Sequence, residues 1–223
     1  RLHVVAPPSD WWQGRPPRDW RRYHAVDVGG SAPWAFVWAA IDPWQNIVFY
    51  HDDPYKASVN SDQLAEVAYP QMFDEQNQPY EFVAKVIDYE NKLAAEDLRR
   101  YNPVFSYTNA TKVNKNTSLQ RLKNYLHPNP RHRFPEWHPL AGQTSAPRAF
   151  VLTNCRNLRR EIPQQRWKEN SGKDEPDRSI ANHATDAALY ITRLLPEPTT
   201  LPVTPASLIT RPLSKMSELY WED

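Results

Sequence analysis

A chain of 223 residues is long enough for one well-buried core with an appended segment, and short for two domains. Hydrophobic residues make up 40% and charged residues 24%, ordinary globular proportions that exclude disorder throughout. The formal net charge of +1 excludes a global basic field as the means of holding nucleic acid, so such a contact must rest on local patches or another domain.

Taken in chain order, residues 1–22 read as an approach segment. Pro7, Pro8, Pro16 and Pro17 break regular structure there, and Arg15, Arg18, Arg21 and Arg22 crowd its end. The texture then changes to HAVDVGG (24–30), a short apolar run closing in a glycine pair, as a buried strand does when it ends in a turn. PWAFVWAAID (33–42) and NIVFYHD (46–52) follow across a short break, and the three runs predict an antiparallel meander. The stretch 61–76 predicts a helix with Ser61 as its N-cap and an interruption at Pro70. FVAKVIDYE (82–90) is an apolar strand ending in acids, and 93–101 and 118–126 are helical in pattern. Between Pro128 and Pro147 lies a proline- and histidine-containing loop longer than compact domains usually tolerate. AFVLTN (149–154) is a strand, 155–162 a short helix, and 182–195 a clear helix with Ala184, Ala188, Ile191 and Leu195 along one side. Beyond it, prolines at 196, 198, 202, 205 and 212 predict an irregular tail, 196–223, whose end joins Met216, Leu219, Tyr220 and Trp221 to acids. A meander followed by alternating strands and helices implies an α/β domain with a mixed sheet, in the element order of the ribonuclease-H fold.

The single cysteine, Cys155, forbids an intramolecular disulfide and suits a reducing compartment. No run approaches the roughly 18 apolar residues of a membrane helix, and no signal-peptide pattern opens the chain. The glycosylation-like triplets at Asn109 and Asn116 therefore read as accidental. No phosphate loop of the Gly-x-x-x-x-Gly-Lys-Ser/Thr kind is present, so ATP hydrolysis is not expected of this piece. The start at Arg1, without methionine, reads as a fragment or a processed piece.

Three acids stand out for their surroundings. Asp27 lies between Val26 and Val28, and Asp88 follows Val86 and Ile87; a carboxylate in such a run is costly to bury unless paired or bound to a metal. Asp186 lies on the late helix with His183 one turn earlier on the same face. Acids on three elements suit a two-metal phosphodiesterase, in which one ion helps generate the attacking hydroxide and the other stabilises the leaving oxygen. Their carboxyl groups would then share two ions roughly 3.5–4 Å apart, and oxygen donors select Mg²⁺ or Mn²⁺. Each acid alone has a bland alternative as a cap, turn or bridge, and His183 as an ordinary helix-face histidine. Glu90 rivals Asp88, sharing its face two residues on. Asp42, Asp52 and Asp53 close adjacent strands and are the readiest false positives, whereas Asp174 and Asp177 fall in a charged loop. Basic candidates for DNA contact are Lys85, Lys92, Lys112, Lys115, Arg121 and Lys123, then Arg131, His132 and Arg133.

The stretch YHAVDVGGSAPWAFVWAAID resembles the first two strands of the nuclease domains of terminase large subunits, in which an aspartate followed by x-Gly opens the metal site. NHATDAALYITR resembles the helix that ends such domains, and FVLTNCRNLRREIPQQRW is similar to the strand and helix before it. The likeness covers 23–195, strongest at its ends, while the long 102–147 region departs from compact members. It implies a ribonuclease-H-like endonuclease that cuts concatemeric viral DNA in the host cytoplasm with little sequence specificity. Asp27, Asp88 and Asp186 would bind two divalent cations, with His183 assisting directly or through a ligand. It further implies a missing ATPase domain reached through 1–22, and a small terminase subunit and portal protein as partners, with no membrane. A junction resolvase or transposase core would share the acids; a non-catalytic module docking on the portal or DNA would not need them.

Overall fold

In the computed structural model, which describes residues 2–29, 31–88, 90, 92–111, 114–166, 177 and 180–198, the apolar runs become the centre of one mixed sheet. In chain order the elements are β1 (Val4–Val5), β2 (Arg21–Asp27), β3 (Trp34–Ile41), β4 (Ile47–His51), β5 (Tyr55–Lys56), α1 (Ser61–Ala68) and β6 (Phe82–Ile87). There follow α2 (Lys92–Tyr101), β7 (Thr108–Asn109), α3 (Lys115–Leu126), β8 (Asn129–Arg133), β9 (Thr144–Ala146), β10 (Ala149–Leu152), α4 (Arg156–Glu161) and α5 (His183–Arg193). Among the described residues the main sheet runs β1-β10-β4-β3-β2-β6-β7, with β5 against β3. Strands β2, β3 and β4 form the expected antiparallel meander, β6 adds parallel to β2, and β10 parallel to β4. This is a ribonuclease-H-like α/β architecture with helices on both sides of the sheet.

Both faces are buried, which is why the central strands read as continuous apolar runs rather than alternating ones. On β3, Ala35, Val37, Ala39 and Ile41 join a core with residues of α3, α4 and α5. Phe36, Trp38 and Ala40 point the other way, into a core with α1 and α2. A Cβ at Gly29 would lie 2.1 Å from the carbonyl oxygen of Ala32, so only glycine lets the chain fold back so tightly between β2 and β3.

Several elements differ from the sequence reading. Helix α1 is capped by Asn60, whose side chain accepts from the Gln63 amide, rather than by Ser61, and it gives way at Tyr69 to a single turn containing Pro70. The long 128–147 loop holds the antiparallel pair β8–β9. Its length has a packing reason: the Trp137 ring lies 5.5 Å from that of Trp11 and 6.2 Å from that of Trp20, and its indole N–H donates to Asp42 at 3.0 Å. The approach segment is likewise part of the domain. β1 pairs parallel to β10, and Val5, Trp11 and Trp20 are buried in the second core. Arg22 is 1% exposed; its guanidinium donates to the carbonyls of Pro16 and Pro17 and lies 4.0 Å from the centre of the Tyr80 ring. Of the proline-rich tail, only residues 196–198 are among those described: the Tyr125 hydroxyl donates to the Pro196 carbonyl, and Arg121 pairs with Glu197 at 2.9 Å, so the chain leaves α5 along α3.

Candidate active site

The site builds up from the ends of two parallel neighbours. Tyr23 and Ala25 on β2 face the core that contains α5, so Asp27, two residues further, faces it too. Asp27 is 8% exposed, and each of its oxygens has a partner. His183 Nδ1 donates to Oδ2 at 2.9 Å and the Tyr190 hydroxyl to Oδ1 at 3.0 Å. These bonds offset the cost of a carboxylate in an apolar strand. The bond to Asp27 raises the pKa of His183 above the ordinary histidine value, against the opposing effect of burial. Asp88 stands beside Asp27 across the strand pair: Val26 pairs with Ile87, and the Asp88 amide donates to the Val26 carbonyl at 3.0 Å.

Helix α5 brings the third acid. His183, Asp186 and Tyr190 stand at i, i+3 and i+7, one face of a helix. The small side chains of Ala184, Ala187 and Ala188 are fully buried and let that helix close on β2 and β3. Burial pushes the Asp186 carboxyl up to about 6, with Asp27 adding to the shift and Lys115 opposing it. The Lys115 ammonium meets both Asp186 oxygens, at 2.6 and 2.7 Å. Asp27, Asp88 and Asp186 all act electrostatically on the Tyr190 hydroxyl, which burial and these charges hold in its protonated form. Of the three, Asp27 touches that hydroxyl, while Asp88 and Asp186 reach it through their charge.

Two members of this cluster were not singled out from sequence. Tyr190 was readable from its spacing to Asp186 and His183. Glu161 is fully buried at the end of α4, where its Oε2 accepts from the Thr185 amide at 2.9 Å and ties down the first turn of α5. Its only signal was a carboxylate between Leu158 and Ile162, at positions that an apolar helix face would fill.

The other candidates separate. Glu90 is exposed beyond the end of β6, so it does not continue Asp88's strand face, although its amide donates to Asp88 Oδ1 at 3.3 Å. Lys85 lies on the opposite sheet face, where its ammonium donates to the Val104 carbonyl at 2.6 Å; strand alternation carries it away from the acids. Lys92 is exposed at the first position of α2. Arg121 is held by Glu197, and Lys123 is exposed on α3. Arg131 and Arg133 are exposed on β8, while His132 between them is buried. Lys112, like Asp174, lies outside the described residues. Asp42 is a turn residue accepting from Asn46 and Trp137, and Asp52 accepts from the Leu158 amide at 2.7 Å and anchors α4.

The donors are of the hard oxygen type that suits Mg²⁺ or Mn²⁺. Asp186 Oδ1 is buried and, although charged contact with Lys115 is close, makes no hydrogen bond. Yet among the described residues no three His, Cys, Asp or Glu side chains gather closely enough to hold an ion as they stand. The expectation of carboxylates already spaced for two shared ions is amended accordingly. Asp27 and Asp186 turn to side-chain partners, and Asp88 Oδ1 accepts from the Glu90 amide.

No family model matches the chain, and no curated protein does. Solved structures do. The nuclease domain of g2p, the large terminase of bacteriophage SPP1, solved with bound Mn, aligns at TM-score 0.58 and 15% identity over 86% of this chain and 97% of that one. The P22 large terminase nuclease domain aligns at 0.61 and 12%, over 85% of each. The large terminase of a thermophilic bacteriophage aligns at 0.59 and 14% over 87% of this chain, which spans only 43% of that protein. At such identities the likeness is one of fold: this domain is built like the nuclease domains of large terminases.

Proposed function

We propose that this chain is a metal-dependent endonuclease acting on double-stranded DNA, the nuclease part of a viral DNA-packaging large terminase working in the host cytoplasm. The observation that carries the reading is the placement of Asp27 and Asp88 side by side at the carboxyl ends of β2 and β6, under the face of α5 whose His183 and Tyr190 hold Asp27 and whose first turn carries Asp186. Asp27, Asp88 and Asp186 are the proposed ligands of two divalent cations. When bound, such ions supply Lewis acidity at a phosphoryl oxygen and charge neutralisation at the leaving oxygen. His183 orients Asp27 and holds a proton on Nδ1, and Tyr190 fixes the other Asp27 oxygen. The proposed partners are double-stranded DNA, an ATPase domain, a small terminase subunit and a portal protein. Sequence preference should be slight, since phosphate contacts position a duplex without reading it.

The test is digestion of supercoiled plasmid with Mg²⁺, with Mn²⁺ and with chelator, at low and at physiological salt. Metal-dependent nicking that is stronger at low than at physiological salt is expected, because phosphate contacts weaken as salt rises and a chain of net charge +1 has little such affinity to spare. Asp27→Asn should lower it by at least about a hundredfold, the scale of losing an electrostatic contact to the transition state. Nicking that survives chelator, or an active Asp27→Asn protein, would contradict the assignment.

A further inference from the structure

The Lys115–Asp186 contact is more than a surface ion pair. Lys115 is the first residue of α3, and α3 packs on α5. Arg193 on α5 donates to Ser118 Oγ at 2.7 Å and to the Thr111 carbonyl at 3.1 Å, bracing the start of α3 against the helix that carries Asp186. That brace delivers the ammonium to both carboxylate oxygens at once, at 2.6 and 2.7 Å. The ammonium donates a hydrogen bond to Oδ2, while its contact with Oδ1, which is buried and makes no hydrogen bond, is one of charge. The Asp186 and Lys115 side chains are 21% and 32% exposed, enough for solvent and ions to reach the pair. Asp186 also feels Asp27, so a cation at this spot offsets repulsion within the acid group.

We infer that Lys115 is a built-in counter-ion that keeps Asp186 in place without metal, and that a divalent ion must displace it to reach that carboxylate. This rests on the proposed metal-binding role of Asp186. The physical consequence is competition: two cations cannot both occupy the inner face of one carboxylate at contact distance. Removing the ammonium therefore weakens the metal-free fold, because it leaves a half-buried charge unpaired, yet strengthens metal binding. An interaction that merely braced α3 would weaken both, and one that served DNA alone would change neither.

The experiment is Mn²⁺ titration by calorimetry, with melting temperatures with and without Mn²⁺, on the wild type, Lys115→Met, Lys115→Arg and Asp186→Asn. Lys115→Met should melt lower without metal and bind Mn²⁺ about tenfold more tightly, so that its Mn²⁺-induced rise in melting temperature exceeds the wild type's. Lys115→Arg, which keeps the charge, should bind Mn²⁺ no better than the wild type, and Asp186→Asn should bind it poorly. If Lys115→Met does not fold, Lys115→Gln takes its place with the same expectation. Wild-type binding with unchanged or weaker binding by the Met variant would overturn the counter-ion role while leaving the nuclease reading intact. A folded wild type that binds no Mn²⁺ would overturn the metal site itself, and this inference with it.

Discussion

Asp27 and Asp42 sit in similar apolar surroundings and are satisfied by different means. Asp27 accepts from a histidine whose pKa it raises and from a tyrosine; Asp42 accepts from neutral donors, among them the Asn46 amides, the Trp44 backbone and the Trp137 indole. Burial accordingly pushes the Asp42 carboxyl up to about 6, from an ordinary value of 3.8, its hydrogen bonds only partly opposing this. The native state thus binds the proton more tightly than the unfolded chain. The stability this contributes is full below about pH 3.8 and is lost as pH rises through about 6. Two pKa units correspond to about 3 kcal/mol. In Asp42→Asn, which keeps an acceptor oxygen but does not titrate, the unfolding free energy relative to the wild type should improve by about that amount between pH 4 and pH 7. Urea melts at the two pH values measure it; a gap that does not change with pH would refute the raised carboxyl.

At the scale of elements, α5 matters most, because one of its faces closes the core and another carries His183, Asp186 and Tyr190. Its fit depends on the alanines at 184, 187 and 188, all fully buried. Ala188→Leu adds volume with nowhere to go and should cost about 1–3 kcal/mol. It should also reduce nicking, since the helix can accept the larger side chain only by shifting the acid and histidine it bears. Ala181→Leu, at an exposed position before the helix, should leave both unchanged. Thermal melts and plasmid nicking on the same preparations compare them; full activity in a destabilised Ala188→Leu would show that α5 does not set the site's geometry.

At the scale of the molecule, the two cores on either side of the sheet are closed by segments that read as connections. The stretch before β2 supplies Trp11 and Trp20, whose rings meet edge to face at 5.2 Å, and both pack on Trp137 from the 128–147 region. Trp20→Ala should therefore cost about 3–5 kcal/mol, the loss of a buried aromatic, where a residue in a true linker would change stability by less than about 0.5 kcal/mol. Denaturant unfolding distinguishes the two outcomes.

The sequence by itself determined the class of the fold and named the acids. Strands buried on both faces leave uninterrupted apolar runs, and helices leave a 3.6-residue period, signals that each segment carries alone. A charged residue inside such a run stands out for the same reason, so Asp27, Asp88, Asp186 and His183 could be singled out before any contact was known. Only the tertiary structure decided which groups meet them. Lys115 lies 71 residues from its carboxylate, and Tyr190 lies 163 from Asp27. Lys85, close in sequence to Asp88, points to the other side of the sheet. Trp11 and Trp20 looked like parts of a connection, and Glu161 drew no notice in its short helix, because their partners are far along the chain. Local period tells which way a side chain faces; what stands opposite depends on how distant segments pack, and that is where the charges of this site find their balance.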